Sequence, residues 1–186
     1  EPVLRQSEHL AHYAGAAARL SEAGLIYPCF ATRSEIVAAA DPAKVDPDGA
    51  ALYPGLHRGL TLAEIASRRA LGQPFAMRLD MARALERARQ LLRGQPLTFT
   101  ELTDDLVPRQ VTADPARWGD TVLQRKEVAT SYHLSVIADD ARQGTRTDPR
   151  PAAELRAGLA VGGDPPPACR RDPCGHPARV VGDSVL

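Results

Sequence analysis

Gly119-Asp120-Thr121-Val122-Leu123-Gln124-Arg125-Lys126-Glu127, continued after Val128 and Ala129 by Thr130-Ser131-Tyr132-His133-Leu134-Ser135-Val136-Ile137-Ala138-Asp139-Asp140, decides the fold. Val122 and Leu123 are apolar and β-prone, and the charged Arg125-Lys126-Glu127 mark a strand leaving the core. The second half predicts a helix. Thr130 or Ser131 supplies the N-cap, and Leu134, Val136, Ile137 and Ala141 supply the apolar face. A strand feeding a helix is half of a βαβ unit, where ligands gather beside the carboxyl end of the strand and the helix N-terminus. Tyr132 and His133 fall in that first turn and are the first candidates for function.

Working outward, the 186 residues suffice for one domain with a real core, or for part of a larger one. The 23 Lys and Arg balance the 23 Asp and Glu, so no global field draws the chain to nucleic acid or a membrane. That balance leaves room for a local nucleic-acid-binding patch. No apolar run approaches the ~20 residues of a membrane span. Glu1 is not a start residue, which suggests a chain that begins inside a longer protein. Cys29, Cys169 and Cys174 make no disulfide framework, as expected in a reducing cytoplasm.

Before the deciding stretch, residues 5–23 predict a helix with Leu10, Tyr13, Ala14, Ala17, Leu20 and Ala23 on one face, Ser7 as cap and Gly24 as terminator. His9 and His12 on this helix read as solvated surface residues. Leu25 to Arg33 is a short apolar run. Thr32 with Glu35, and Thr61 with Glu64, are capping boxes that open two further helices. Residues 41–60 read as loop. Pro74 to Asp80 alternates as a strand does, and residues 81–93 predict a helix with Leu85, Leu91 and Leu92 as its apolar residues. Leu97 to Thr100 is β-prone. Asp104 to Asp120 reads as polar loop. No internal repeat is present.

Residues 145–186 are rich in Pro and Arg and hold no Phe, Tyr or Trp. Such a segment is expected to be disordered, with at best a short helix near Ala152 to Leu159. Cys169, Cys174 and His176 do not complete a zinc donor set and read as chance composition.

Gly24-Leu25-Ile26-Tyr27-Pro28-Cys29-Phe30-Ala31-Thr32-Arg33, the Tyr53-Pro54-Gly55 turn, Phe75 to Asp80, and Thr130 to Leu134 through Asp139-Asp140 keep their order from Glu1 to about Gly144. Together they resemble the class I glutamyl-tRNA synthetase group, and more narrowly its short paralogue, the glutamyl-Q tRNA(Asp) synthetases. Val136 stands where discriminating glutamyl-tRNA synthetases tend to have Asn, and the short paralogue usually has an apolar residue there.

The resemblance implies an α/β fold, a fragment of a class I Rossmann-type catalytic domain with a helix-rich insertion. It divides the chain into residues 1–33 from the first half of that domain, 34–118 as an inserted connective subdomain, 119–144 as the start of the second half, and the divergent tail 145–186. It implies activation of L-glutamate by ATP with Mg2+, then transfer to tRNA, with queuosine of tRNA-Asp as acceptor in the short paralogue. The chemistry is in-line attack of a carboxylate on the α-phosphorus, which the protein serves by positioning and charge stabilisation. Tyr132 matches the family's glutamate-contacting tyrosine, and a cytoplasmic monomer is implied.

Three departures stand against that pattern. Many members bind zinc through Cys-x-Cys and Tyr-x-x-x-Cys. Here Cys29 and Tyr53 remain, but Ala31 and His57 replace the other two, so no zinc is expected. The upstream His-x-Gly-His and the downstream Arg-Gly and Lys-Ser-Lys segments have no match. The abrupt change near residues 142–147 suggests a shifted reading frame. The chain as it stands is therefore expected to be inactive. The alternatives are a non-catalytic tRNA-binding module and a relic of such a synthetase.

Overall fold

The computed structural model describes residues 5–102, 107–128 and 130–143. The tail beyond Gln143, with Cys169, Cys174, His176 and the proposed helix near Ala152, lies outside the described residues. After a 3-10 turn at Gln6–Glu8, the described elements run α1 (Leu10–Glu22), β1 (Ile26–Cys29), α2 (Arg33–Ala39), α3 (Leu62–Ala70), β2 (Ala76–Leu79), α4 (Met81–Leu91), β3 (Thr98–Leu102), β4 (Pro108–Thr112), a 3-10 turn at Pro115–Trp118, β5 (Val122–Gln124) and α5 (Tyr132–Gln143).

The strands form two antiparallel sheets. One has the order β1-β2-β5, with Ile26 opposite Leu79 and Cys29 opposite Ala76. A bulge between Met77 and Arg78 lets β5 skip a register step, so that Gln124 faces Met77 and Val122 faces Arg78. The other sheet pairs β3 with β4, Thr98 opposite Thr112. The mixed helix-and-sheet class expected from the sequence holds. The parallel neighbour that a βαβ unit requires is not among the described strands.

One apolar cluster joins the first sheet to its helices. Ala17 and Leu20 of α1, Ile26, Met77, Leu79 and Leu123 of the sheet, Met81 and Ala84 of α4, and Leu134 and Ile137 of α5 are all buried in it. Fully burying one such Leu or Ile side chain contributes about 1.5–3 kcal/mol, so this cluster is the main source of cohesion.

Both capping boxes form. Thr32 Oγ1 accepts from Glu35 N–H at 3.2 Å, Thr61 Oγ1 accepts from Glu64 N–H at 3.3 Å, and each glutamate accepts from the threonine backbone in return. Gly24 and Gly72 end their helices at φ +67° and +68°, as C′ glycines do.

Several expectations need correction. Asp104 to Asp120 is not all loop, because Pro108–Thr112 pairs with β3 and Pro115–Trp118 makes a turn of 3-10 helix. Ser7 does not cap α1. His9 occupies that position and makes no side-chain cap. Leu10 is exposed, whereas Tyr13, Ala17 and Leu20 are buried. On α4 the buried residues are Met81 and Ala84, while Leu91 is exposed, because the helix meets the sheet at its first turn. Asp80 caps that helix, its Oδ1 accepting from Arg83 N–H at 3.1 Å. On α5, Ala141 is exposed, and Ser135 and Asp139 are buried beside Leu134 and Ile137.

Candidate functional site

Tyr132 opens α5, and what fixes α5 fixes Tyr132. The preceding Ser131 is buried. Its N–H donates to Leu123 O at 2.8 Å, and its Oγ accepts from Leu134 N–H at 3.4 Å. The first link ties the helix start to β5, and the second caps the helix. Leu134 and Ile137 anchor the apolar side. On the same side, Asp139 meets α1. Its carboxylate accepts from Tyr13 Oη at 2.8 and 2.9 Å and from Gln6 Nε2 at 3.0 Å. Burial, then the hydrogen bond to Asp139, push the Tyr13 phenol up to about 12, so it stays a donor at any ordinary pH.

Tyr132 is 47% exposed, and its ring stands edge-on to His133, with centroids 5.9 Å apart. It therefore projects from the first turn of a twelve-residue helix into solvent-accessible space. A phenol there can donate to a carboxylate held at the helix N-terminus, where backbone N–H groups favour anions.

A second constellation lies where the 41–60 segment meets the sheet. Cys29, Tyr53 and His57 come together, but through hydrogen bonds with one another and with the backbone. Cys29 Sγ and Tyr53 Oη are 3.2 Å apart, and Tyr53 Oη accepts from His57 N–H at 3.1 Å. His57 Nδ1 faces two backbone donors, Phe30 N–H and Ala31 N–H, both at 3.2 Å. Accepting from them requires an unprotonated Nδ1. Burial and then the charge of Arg68 lower the His57 pKa below 6.5, against an opposing contribution from Glu35. Burial and the Cys29 contact raise the Tyr53 phenol to about 12.

This donor set does not fit a structural zinc. Ala31 offers no ligand atom, and the Nδ1 of His57 is committed to two amides. His9 Nδ1 lies 3.2 Å from Arg142 Nη1, and His12 is exposed. Among the described residues, no group of three or more His, Cys, Asp or Glu is disposed to hold a metal.

The same region contains a hub that the sequence did not announce. The Asp120 side chain is 1% exposed. Its Oδ2 accepts from Arg58 Nε at 2.9 Å and Nη2 at 2.7 Å, and from Tyr27 Oη. Its Oδ1 accepts from Met81 N–H at 3.1 Å. The Asp120 carbonyl accepts from Arg78 Nη1 at 2.8 Å, and the Arg78 guanidinium lies 3.9 Å over the Tyr53 ring. Burial first, and then Asp120, drive the Tyr27 phenol far above its ordinary range. The hydrogen bond to Asp120 likewise raises Arg58. Asp120 thereby fastens the 41–60 segment to β1, to the start of α4 and to the strand that leads into α5. The only local hint was Gly119 beside it, at φ +61° and ψ −156°, a conformation open essentially to glycine.

No helix among the described residues is long and apolar enough to cross a membrane. No family model matches the chain. Individual proteins do. A glutamyl-Q tRNA(Asp) synthetase of Nocardia farcinica is 41% identical over 143 residues, covering 77% of this chain and 39% of that protein. One from Rhodobacter capsulatus is 38% identical over 154 residues, covering 77% and 49%. Among solved structures, a glutamate tRNA ligase from Elizabethkingia meningosepticum in complex with its amino acid superposes with a TM-score of 0.52. It is 18% identical and covers 77% of this chain and 28% of that one. At that identity the superposition shows the fold alone. The chain is thus related to the glutamyl-Q tRNA(Asp) synthetases, which are ligases of the aminoacyl-tRNA synthetase kind, and spans less than half the length of these two relatives.

Proposed function

We propose that this chain is part of a glutamate-activating synthetase of the glutamyl-Q tRNA(Asp) type. In such an enzyme L-glutamate and ATP with Mg2+ form an adenylate, and the glutamyl group then passes to queuosine of tRNA-Asp. One observation carries the reading: 41% identity sustained over 143 residues to a protein of that name. In this reading residues 34–118 are a connective insertion between two parts of the catalytic domain, 1–33 and 119–144. Tyr132 contacts the amino acid, with His133 beside it. The protein is a cytoplasmic monomer and needs no zinc, the turn at Cys29, Tyr53 and His57 being held by its own hydrogen bonds. The chain as it stands is inactive, because it has no His-x-Gly-His and no Arg-Gly pair beyond residue 144.

The test is to read the gene through both flanks in all frames, express the extended protein and assay glutamate-dependent ATP–pyrophosphate exchange. The expected outcome is exchange in the extended protein, none in the 186-residue chain, and an apparent glutamate affinity about tenfold weaker in Tyr132→Phe. An extended protein that binds tRNA without exchange would replace this reading with a non-catalytic tRNA-binding module.

A further inference from the structure

Between α2 and the first sheet lies a cleft of about 570 Å3, within the range of small-molecule sites. Ile36, Val37 and Ala40 of the α2 region give it an apolar wall, and Arg33, Arg78 and Lys126 bring three cations to it. Among the described residues, no Asp or Glu lines it. Each cation retains binding capacity. The Arg33 side chain makes no hydrogen bond or ion pair with the described residues. Lys126 Nζ donates to the carbonyls of Ala31 at 3.1 Å and Phe30 at 3.5 Å, and no carboxylate among the described residues pairs with it. Arg78 donates to the Asp120 carbonyl through Nη1, and no carboxylate among the described residues forms an ion pair with it. The carboxylate of Glu35, which senses Lys126, is occupied by the backbone N–H and hydroxyl of Thr32.

Three converging cations of different geometry suit a dianion with several oxygens better than a single carboxylate. The aliphatic wall calls for an apolar body beside that charge. We propose that this cleft binds a phosphomonoester carrying a compact apolar or aromatic group. The inference stands apart from the glutamate chemistry proposed above, since neither Tyr132 nor α5 contributes to the cleft.

The test is a titration of the full chain, followed by backbone amide NMR, with three probes: phenyl phosphate, inorganic phosphate and phenol. Phenyl phosphate is expected to shift the amides of Arg33, Val37 and Ala51 and to bind about tenfold tighter than inorganic phosphate. Phenol should leave those amides unmoved. Arg33 and Val37 are both exposed, so their substitution should spare the fold. Arg33→Gln is expected to weaken phenyl phosphate severalfold. Val37→Glu, which sets a carboxylate at the cleft, should abolish binding. Equal affinity for phenyl phosphate and inorganic phosphate, shifts centred elsewhere, or binding that survives both substitutions would overturn the proposal.

Discussion

Asp120 and His57 each place one side chain against several donors, and the consequences of losing them differ. Asp120→Ala would strand the Tyr27 hydroxyl, the Met81 N–H and the Arg58 guanidinium together. Only Arg58, 45% exposed on its side chain, can recover solvation easily. A loss of about 3 kcal/mol is expected, read as a lower urea midpoint. Arg58→Ala should cost a comparable amount, because it leaves the buried Asp120 carboxylate without its countercharge, held by Tyr27 and the Met81 N–H alone.

His57 gives a pH dependence of known sign. Its folded pKa lies below 6.5, so the unfolded chain takes up the proton first. The stability it provides is complete above pH 6.5 and is lost as pH falls through the folded value. Urea midpoints measured across that interval should fall on acidification, and the fall should shrink in His57→Gln. The meeting of Cys29, Tyr53 and His57 was legible only through the family resemblance, whose metal-binding pattern sets these positions together. The role of Asp120 was not, since its partners Tyr27 and Arg58 lie 93 and 62 positions away in sequence.

At the scale of elements, local rules carried the reading wherever the signal was local. Thr32 with Glu35, Thr61 with Glu64, and the glycines 24 and 72 each mark a helix end within a few residues. Thr61→Ala should therefore cost about 1 kcal/mol, measurable as a drop in thermal midpoint. β4 escaped because Pro108-Arg-Gln-Val-Thr112 has one aliphatic residue, Val111, beyond its opening proline. Its strand character comes from the ladder to β3, including the Arg109–Glu101 contact at 2.6 Å. The apolar face of α5 was misjudged for a similar reason. Ser135 and Asp139 are buried against polar groups of the distant Gln6–Tyr13 region, and no helical periodicity encodes a polar partner. Tyr13→Phe tests this point. It removes the hydroxyl from Asp139, leaves the ring in place, and should cost about 1–3 kcal/mol in chemical denaturation.

At the scale of the molecule, the ordered set of motifs said more than any pattern of hydropathy. It pointed to the synthetase relationship and to the helix-and-sheet class. It did not foresee that the three strands of the first sheet pair antiparallel, because register and direction are settled by long-range packing around Leu79 and Leu123.

The clasp between Tyr13 and Asp139 has a consequence in time. The two residues are 126 positions apart. At ribosomal speeds of about 5–20 residues per second, that gap takes roughly 6 to 25 s to translate. Through that interval α1 has emerged and its buried face has no α5 to meet. The first described helix must therefore wait for the last described one, and closure of this part of the core is held until α5 has been made. The exposed face of α1 during that delay is a natural target for chaperones that hold nascent chains.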